Sequence, residues 1–178
     1  KDYKRGFGYQ GGASRGNWEE TVAELSYGKD LKDAILKPGG WNIGIGGFGE
    51  VLPYEDNRMT LDYDKLDSWG LPTITFDADL QENEFNMRKD MQQSAIEMLE
   101  KAGVRDVKGH DGPTGLGLGI HEMGTARMGR NSKTSVLNGN NQLHDVPNVY
   151  VTDGAFMASA ACVNPSLTYM AFTARAAD

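Results

Sequence analysis

The sequence has little cysteine, little positive charge and no long hydrophobic run, and each shortage argues against a class of protein. Cys162 is the sole cysteine, so no internal disulfide can form, and the compartment is left open. The 18 lysines and arginines face 25 aspartates and glutamates, and the formal charge of −7 argues against a nucleic-acid surface. The uncharged stretch 154–174 is interrupted by polar residues and Pro165, which is not typical of a membrane span.

The rest of the composition is that of an ordinary globular protein. The 178 residues are 39% hydrophobic and 24% charged, which is enough for one domain with a sizeable core. The chain opens on KDYKRGFGYQGG without a methionine, and it stops at Asp178 within an apparently continuing helix. We therefore expect residues 1–178 to be one domain of a longer protein.

Hydrophobic periodicity predicts strands grouped ahead of one long helix. The segments in which apolar and polar residues alternate are 41–47, 58–63, 72–80 and a shorter one, 148–153. From Asn83, a candidate N-cap, the spacing becomes helical, with a face formed by Met87, Met91, Ala95 and Met98. A short helix is also predicted over 17–26. The pattern predicts an α+β fold, a mainly antiparallel sheet with helices packed on one face.

The segment GIGGFG, residues 44–49, matches the G-x-G-x-x-G fingerprint of loops that hold a dinucleotide pyrophosphate. Such a loop passes directly from a strand into a helix whose N-terminus faces the phosphates. Here Pro53 lies four residues past the last glycine, and residues 58–63 alternate as a strand does. We therefore interpret the segment as a glycine-rich strand or turn that another backbone or a ligand approaches closely.

The segment HEMGTARMG, residues 121–129, begins with the His-Glu pair of zinc proteases. Their H-E-x-x-H motif needs a second histidine one helical turn later, and Thr125 occupies that position. A site formed by His110, His121 and His144 stays open as an alternative, although isolated histidines at irregular spacing are usually structural or exposed. No metal site is predicted.

The segment ACVNPSLTYMAFTARAAD, residues 161–178, predicts a helix with a defined start. Asn164 is a candidate N-cap, and Pro165 suits the first helical position. The expected packing face consists of Leu167, Met170, Ala171 and Ala174. The exposed N–H groups of such a start can hold an anion or a polarised carbonyl, although an ordinary capped helix has the same features.

Three motifs in this order resemble the C-terminal region of the glucose-methanol-choline (GMC) oxidoreductases. They are His-x-x-Gly-Thr-x-Arg-Met-Gly at 121–129, NVYVTDGAFM at 148–157 and Asn-Pro-x-x-Thr at 164–168. The segment 49–84 is similar to the substrate-domain hairpin and strand of that family. The resemblance thus covers most of the chain, from about residue 40 to the end.

The resemblance implies an FAD-dependent oxidation of an alcohol, with a sugar or polyol as the expected substrate, in which hydride passes to the flavin. It implies that His121 is the general base and that Asn164 is the second catalytic residue. The cofactor-binding residues that it implies are Asp153, Gly154, Asn164, Pro165 and Thr168. The tripeptide VLN at 136–138 departs from the family, since many members have an aspartate there, and this puts in doubt any contact made at that point.

The family's dinucleotide fingerprint lies in an N-terminal FAD-binding Rossmann domain, which this chain would lack. The chain would then be the C-terminal substrate-binding and catalytic domain, with residues from about 120 onward completing the FAD site. Its implied partners are a small-molecule alcohol or sugar and the missing FAD domain. We expect the chain alone to bind FAD weakly or not at all.

The chemistry of the two catalytic residues agrees with these roles. Imidazole can accept a hydroxyl proton near neutral pH, and the Asn164 amide can donate to the same oxygen. Their side-chain tips must then lie within about 3 to 6 Å of each other, and Asn164 could not also cap its helix. A carbohydrate-binding module that stacks sugars on Trp18, Trp41 and Trp69 is the alternative, although such a trio more often lies in the core. A metal-dependent hydrolase is a third candidate function, and the sequence supports it less than the other two.

Overall fold

The computed structural model describes residues 1–15, 27–36, 39–112 and 115–178. Its elements are β1 (Phe7–Ser14), α1 (Gly28–Ile35), β2 (Asn42–Gly49), β3 (Arg58–Leu66), β4 (Pro72–Asp77), α2 (Glu82–Lys101), a 3-10 turn (Gly154–Phe156) and α3 (Ser166–Ala177). The helix predicted over 17–26, with Trp18, lies outside the described residues. Within the described part, none of the helices is long and apolar enough to cross a bilayer.

The fold is α+β, and its strands form two antiparallel pairs. β1 pairs with β2 along its whole length, from Phe7 opposite Gly49 to Ser14 opposite Asn42. β3 pairs with β4, starting with Arg58 opposite Asp77. The prediction of one sheet from the segments 41–47, 58–63 and 72–80 is wrong, because among the described residues β2 pairs only with β1. β1 was not predicted, because glycines interrupt its short alternation of aromatic and polar residues.

The long helix α2 lies against the glycine-rich strand β2. A Cβ atom at Gly47 would overlap the sulfur of Met91, and one at Gly49 would lie 2.7 Å from the sulfur of Met87. The interpretation of GIGGFG as a glycine-rich strand is therefore confirmed. The groups that approach its last glycines are methionine side chains of α2, however, and not the backbone or ligand that was expected. The predicted methionine face packs mainly through its first half, because Met87 is buried whereas Met98 is 46% exposed.

The hairpin of β3 and β4 is regular but has an open apolar face. Its turn is held by the Asp67 carboxylate, which accepts hydrogen bonds from the N–H groups of Trp69 and Leu71. The exposed apolar residues on paired positions are Met59, Leu61, Ile74 and Phe76. The strand predicted to reach residue 80 ends at Asp77. Beyond it, the Asp79 backbone N–H and C=O instead bond the side chain of Asn57.

The start of α2 is organised around a buried carboxylate. Glu84 is 3% exposed and accepts hydrogen bonds from the Leu52 N–H at 3.1 Å and the Tyr54 hydroxyl at 2.8 Å. It also accepts hydrogen bonds from the Gln81 N–H and the Asn83 amide. Gln81 is the N-cap, so the prediction of Asn83 in that place is off by two residues. The buried carboxylate thereby anchors the loop before β3 to α2.

The region 121–178 consists mainly of loops around three fully buried side chains, which are Leu137, Asn141 and Phe156. The strand predicted over 148–153 is wrong, because only Tyr150 there forms an isolated bridge, with Gln142. The physical reason is that Asn141 occupies the backbone N–H and C=O groups of Val151, which a neighbouring strand would otherwise bond. Its backbone C=O accepts from the Val151 N–H, and its side-chain amide donates to the Val151 C=O, both at 2.9 Å.

Candidate functional site

The structure brings His121 and Asn164 together across 43 residues of chain. His121 Nε2 lies 3.2 Å from Asn164 Oδ1, within the span of about 3 to 6 Å that a shared substrate oxygen requires. Both side chains are exposed. Each therefore retains hydrogen-bonding capacity toward a molecule that arrives from solvent.

The segment that carries His121 is held by the 3-10 turn. The Ala126 N–H donates to the Ala155 C=O at 3.0 Å, and the Met128 N–H donates to the Phe156 C=O at 2.9 Å. Gly124, between His121 and these contacts, has φ +86, a conformation that favours glycine. The backbone of residues 121–129 is thus fixed to the buried side of the turn, which leaves the His121 side chain at the surface.

Asn164 is placed by α3 without acting as its cap. The N-cap residue is Pro165, and no side-chain hydrogen bond caps the helix, so the prediction of Asn164 as N-cap is wrong. The Asn164 side chain contacts His121 instead, as expected for a residue that cannot serve both purposes. The first N–H groups of α3 are consequently left without a side-chain acceptor and carry partial positive charge.

The face that packs α3 differs from the predicted one. Phe172 stacks on the buried Phe156 at a centroid distance of 5.0 Å, and Tyr169 meets the same ring edge to face at 6.3 Å. Leu167 is 76% and Met170 61% exposed, so the prediction that they form the packing face is wrong for this chain. Aromatic rings reach the core from the opposite side of the helix and bury more area than leucine or methionine.

The remaining residues of the predicted cofactor set lie at the same junction. The Asp153 carboxylate accepts from the Ala155 N–H at 2.9 Å and thereby caps the 3-10 turn. Gly154 and Pro165 are buried. Thr168 lies in the first turn of α3. Asp153 is exposed, so part of its carboxylate stays available to a ligand.

The tripeptide that departs from the family has a structural role. Leu137 is fully buried. Asn138 Oδ1 accepts from the Asn140 N–H at 2.8 Å, and its amide donates to the Gln142 side chain at 2.8 Å. These contacts stabilise a loop within the chain.

Tyr169 belongs to this site, although the sequence reasoning did not single it out. An ideal Cβ atom on Gly154 would lie 2.7 Å from the Tyr169 hydroxyl. Burial, and then the nearby carboxylates of Asp153 and Glu122, raise the pKa of Tyr169. The sequence signal was weak, since Tyr169 is one aromatic in a helix whose predicted face lay elsewhere.

The other two histidines do not join His121. His144 Nε2 lies 3.1 Å from the Ser135 hydroxyl, and His110 is exposed in the segment that follows α2. Within the described ranges, no group of three or more His, Cys, Asp or Glu side chains is arranged to hold a metal. A groove of about 650 Å³ lies between β2 and the end of α2, where Trp41 and Lys108 are among its lining residues. None of the catalytic candidates lines that groove.

The known proteins that this chain resembles are oxidoreductases. A family model described as GMC oxidoreductase matches residues 53–173. The 2-methyl-1,2-propanediol dehydrogenase of Mycolicibacterium austroafricanum is 33% identical over 100% of this chain and 33% of its own length. Paromamine 6'-oxidase of Streptomyces fradiae is 33% identical over 70% of this chain and 23% of its own length. The fructose dehydrogenase large subunit of Gluconobacter japonicus is 28% identical over 85% of this chain and 27% of its own length. The chain thus spans a third or less of these relatives.

Proposed function

The chain belongs to the GMC oxidoreductase family, and on that premise we propose that it is the C-terminal substrate-binding and catalytic part of an FAD-dependent enzyme that oxidises a CH–OH group. The observation that carries the proposal is the 3.2 Å approach of His121 Nε2 to Asn164 Oδ1. Two exposed polar side chains from separate motifs meet there beside the uncapped start of a helix. That combination offers a base, a hydrogen-bond donor and partial positive charge in one place.

His121 would take the hydroxyl proton of the alcohol. An oxygen atom about 2.8 Å from both partners fits beside the pair, because their contact atoms are 3.2 Å apart. Nε2 must be unprotonated to accept that proton, so the tautomer with the proton on Nδ1 is the reactive one. The Asn164 amide, turned with its Nδ2 toward the oxygen, would donate a hydrogen bond and stabilise the developing alkoxide.

The residues at this junction fit an FAD. FAD, when bound, accepts the hydride that leaves the carbinol carbon. The uncapped N–H groups of α3, from Ser166 to Thr168, would stabilise the negative charge of a reduced flavin ring. The exposed Asp153 carboxylate would accept hydrogen bonds from ribityl hydroxyls, and the buried Gly154 would let the backbone lie close to them.

The substrate class is proposed from the relatives. The relatives are named for a diol, an aminoglycoside and a hexose, respectively, so a sugar or polyol is the proposed substrate of this chain. The relatives are about three times as long as this chain. We assign the binding of the ADP half of FAD to a segment outside these 178 residues. The chain alone would accordingly bind FAD weakly or not at all.

The test uses the full-length protein that contains this chain. We expect it to purify with a flavin spectrum that is bleached when 2-methyl-1,2-propanediol, paromamine or fructose is added without oxygen. His121→Ala is the matched variant, which should keep the flavin spectrum and lose most of the bleaching rate. A colourless protein, or a spectrum that no alcohol or sugar changes, would contradict the proposal.

A binding-only function is the second candidate, because two of the three tryptophans are surface residues. Trp41 is 65% exposed and Trp69 84% exposed, so neither follows the usual tendency of such residues to lie in the core. Exposed indole rings can stack on sugars. A carbohydrate-binding module would have no use for the His121 and Asn164 pair. A colourless full-length protein that binds sugars and loses binding in Trp41→Ala would favour this candidate.

A further inference from the structure

A side chain at Gly154 would crowd Tyr169 and the backbone of Glu122. A Cβ atom there would be 2.7 Å from the Tyr169 hydroxyl oxygen, 3.1 Å from Tyr169 Cζ and 3.2 Å from the Glu122 carbonyl oxygen. Gly154 is not among the residues with positive φ. Its backbone would therefore accept alanine, and space alone requires the glycine.

The two neighbours of Gly154 belong to the two segments that meet at the site. Glu122 follows His121 directly, so its carbonyl is part of the backbone that carries the imidazole. Tyr169 lies one turn into α3, where its N–H donates to the Pro165 C=O at 3.1 Å, and Pro165 follows Asn164. The separation of these two segments across Gly154 thereby affects the separation of His121 and Asn164.

Other contacts attach the two segments to the chain on either side of Gly154. The hydroxyl of Thr173, one turn after Tyr169, contacts the Thr152 C=O at 3.2 Å. On the other side, the Ala126 N–H is bonded to Ala155 C=O. The chain 152–155 is therefore attached to both segments, and Gly154 lies between the two points of attachment.

We propose that Gly154 is a positioning residue, whose missing side chain lets the His121 segment and α3 approach until His121 and Asn164 share one substrate oxygen. This inference rests on the proposed function. Any added atom must displace Tyr169 outward or the Glu122 peptide in the opposite direction, because the interior of the turn is filled by Phe156. A displacement of the Glu122 peptide, or of α3 through Tyr169, would lengthen the distance between the imidazole and the amide.

The test compares four forms of the full-length protein, which are wild type, Gly154→Ala, Tyr169→Phe and the double variant. Because Gly154 also belongs to the proposed FAD-binding set, rates are expressed per bound flavin, and Gly154→Ala should reduce its flavin with 2-methyl-1,2-propanediol about tenfold to hundredfold more slowly, since small misplacements are costly in catalysis. Tyr169→Phe removes the closest clashing atom, so the double variant should recover part of that loss. Gly139→Ala is the control, because a Cβ atom at Gly139 meets nothing within 4 Å.

Crystal structures of the same proteins give a readout independent of activity. The distance from His121 Nε2 to Asn164 Oδ1 should exceed about 4 Å in Gly154→Ala and return toward 3.2 Å in the double variant. An unchanged distance in Gly154→Ala would overturn the inference. If Gly154→Ala does not fold, the double variant must fold with the short distance, and its failure to do so would also overturn it. A wild-type protein that no alcohol reduces would refute the proposed function, while the distances still decide the inference.

Discussion

Two polar clusters in this chain are built in opposite ways, one closed around Glu84 and one open at His121 and Asn164. Glu84 is 3% exposed, and its carboxylate accepts hydrogen bonds from two backbone N–H groups and two side chains. His121 and Asn164 are exposed and meet through a side-chain contact of 3.2 Å. The carboxylate of the first cluster is thus occupied by hydrogen bonds within the chain, whereas the side chains of the second can still bond another molecule.

The difference predicts which cluster affects stability and which affects the reaction. A buried carboxylate with four donors holds the loop of residues 52–54 on α2, and its loss would leave those donors unsatisfied. An exposed pair contributes little to the free energy of unfolding, because water replaces either partner at small cost. Substitutions in the closed cluster should therefore change stability, and those in the open pair should change the reaction rate.

The largest expected effect is on the rate, from His121→Ala. In the flavin-loaded full-length protein, flavin reduction should slow by about 10² to 10⁴, because a general base typically supplies that factor. Flavin content and melting temperature should stay near those of wild type. Stopped-flow reduction by 2-methyl-1,2-propanediol measures the rate, and His110→Ala, also exposed, is the control. An unchanged rate in His121→Ala would remove His121 from the mechanism.

The next largest effect is expected for Asn164→Asp. This change replaces a donor with a negative charge beside the developing alkoxide, and flavin reduction should slow by about 10² to 10³. Asn140→Asp introduces the same charge at another exposed position and should leave the rate unchanged. Equal rate losses in both variants would point to a general effect of charge and break the comparison.

Glu84→Ala should lower the free energy of unfolding by about 2 to 4 kcal/mol, because it leaves buried donors unsatisfied. Urea denaturation of the full-length protein measures the loss, and hydrogen exchange at the Leu52 and Gln81 amides locates it. Glu82→Ala, an exposed change in the same helical turn, is the matched control. Stability equal to that of the control would show that the closed cluster does not support the fold.

The closed cluster should also make stability depend on pH on both sides of neutrality. Burial alone would raise the pKa of Glu84, but hydrogen bonds from Leu52, Asn83, Tyr54 and Gln81 lower it below its ordinary value of 4.5. Its stabilisation is therefore present above pH 4.5 and is lost as the pH falls through the lower folded pKa. Urea midpoints of wild type and Glu84→Gln should converge in acid. A difference between the two urea midpoints that stays constant in acid would contradict the lowered pKa of Glu84.

On the alkaline side, burial and the hydrogen bond to Glu84 raise the pKa of Tyr54 to about 12. The contribution of Tyr54 is present below its ordinary pKa of 10.0 and is lost as the pH rises toward 12. Absorbance titration should reveal a late-titrating phenolate in wild type that Tyr54→Phe lacks. Its absence from the wild-type titration would be inconsistent with the geometry.

Tyr54→Phe should have the smallest effect on stability, about 0.5 to 1.5 kcal/mol, because a neutral donor is removed while Glu84 keeps its other donors. The same urea assay measures it, and Tyr63→Phe, at an exposed position on β3, is the control. A loss as large as that of Glu84→Ala would mean that the hydroxyl carries most of the stabilisation of the cluster.

The sequence by itself determined the features that depend on local patterns. The apolar spacing of α2 and the alternation within β3 predicted those elements to within a few residues. Three motifs in order were enough to identify the family and to predict that His121 and Asn164 meet, as they do. The absence of a helix after GIGGFG was enough to reject a dinucleotide loop there.

Only the tertiary structure decided which elements pair and which faces pack. β2 pairs with β1 rather than β3, because backbone pairing depends on which strands meet in space and two alternating segments look alike in sequence. The packing face of α3 is set by Phe156, which lies ten residues before that helix in the chain. Likewise, a side chain at position 154 is disfavoured only because Tyr169 and Glu122 lie close to it. These are contacts between distant residues, which the composition and periodicity of a single chain do not encode locally.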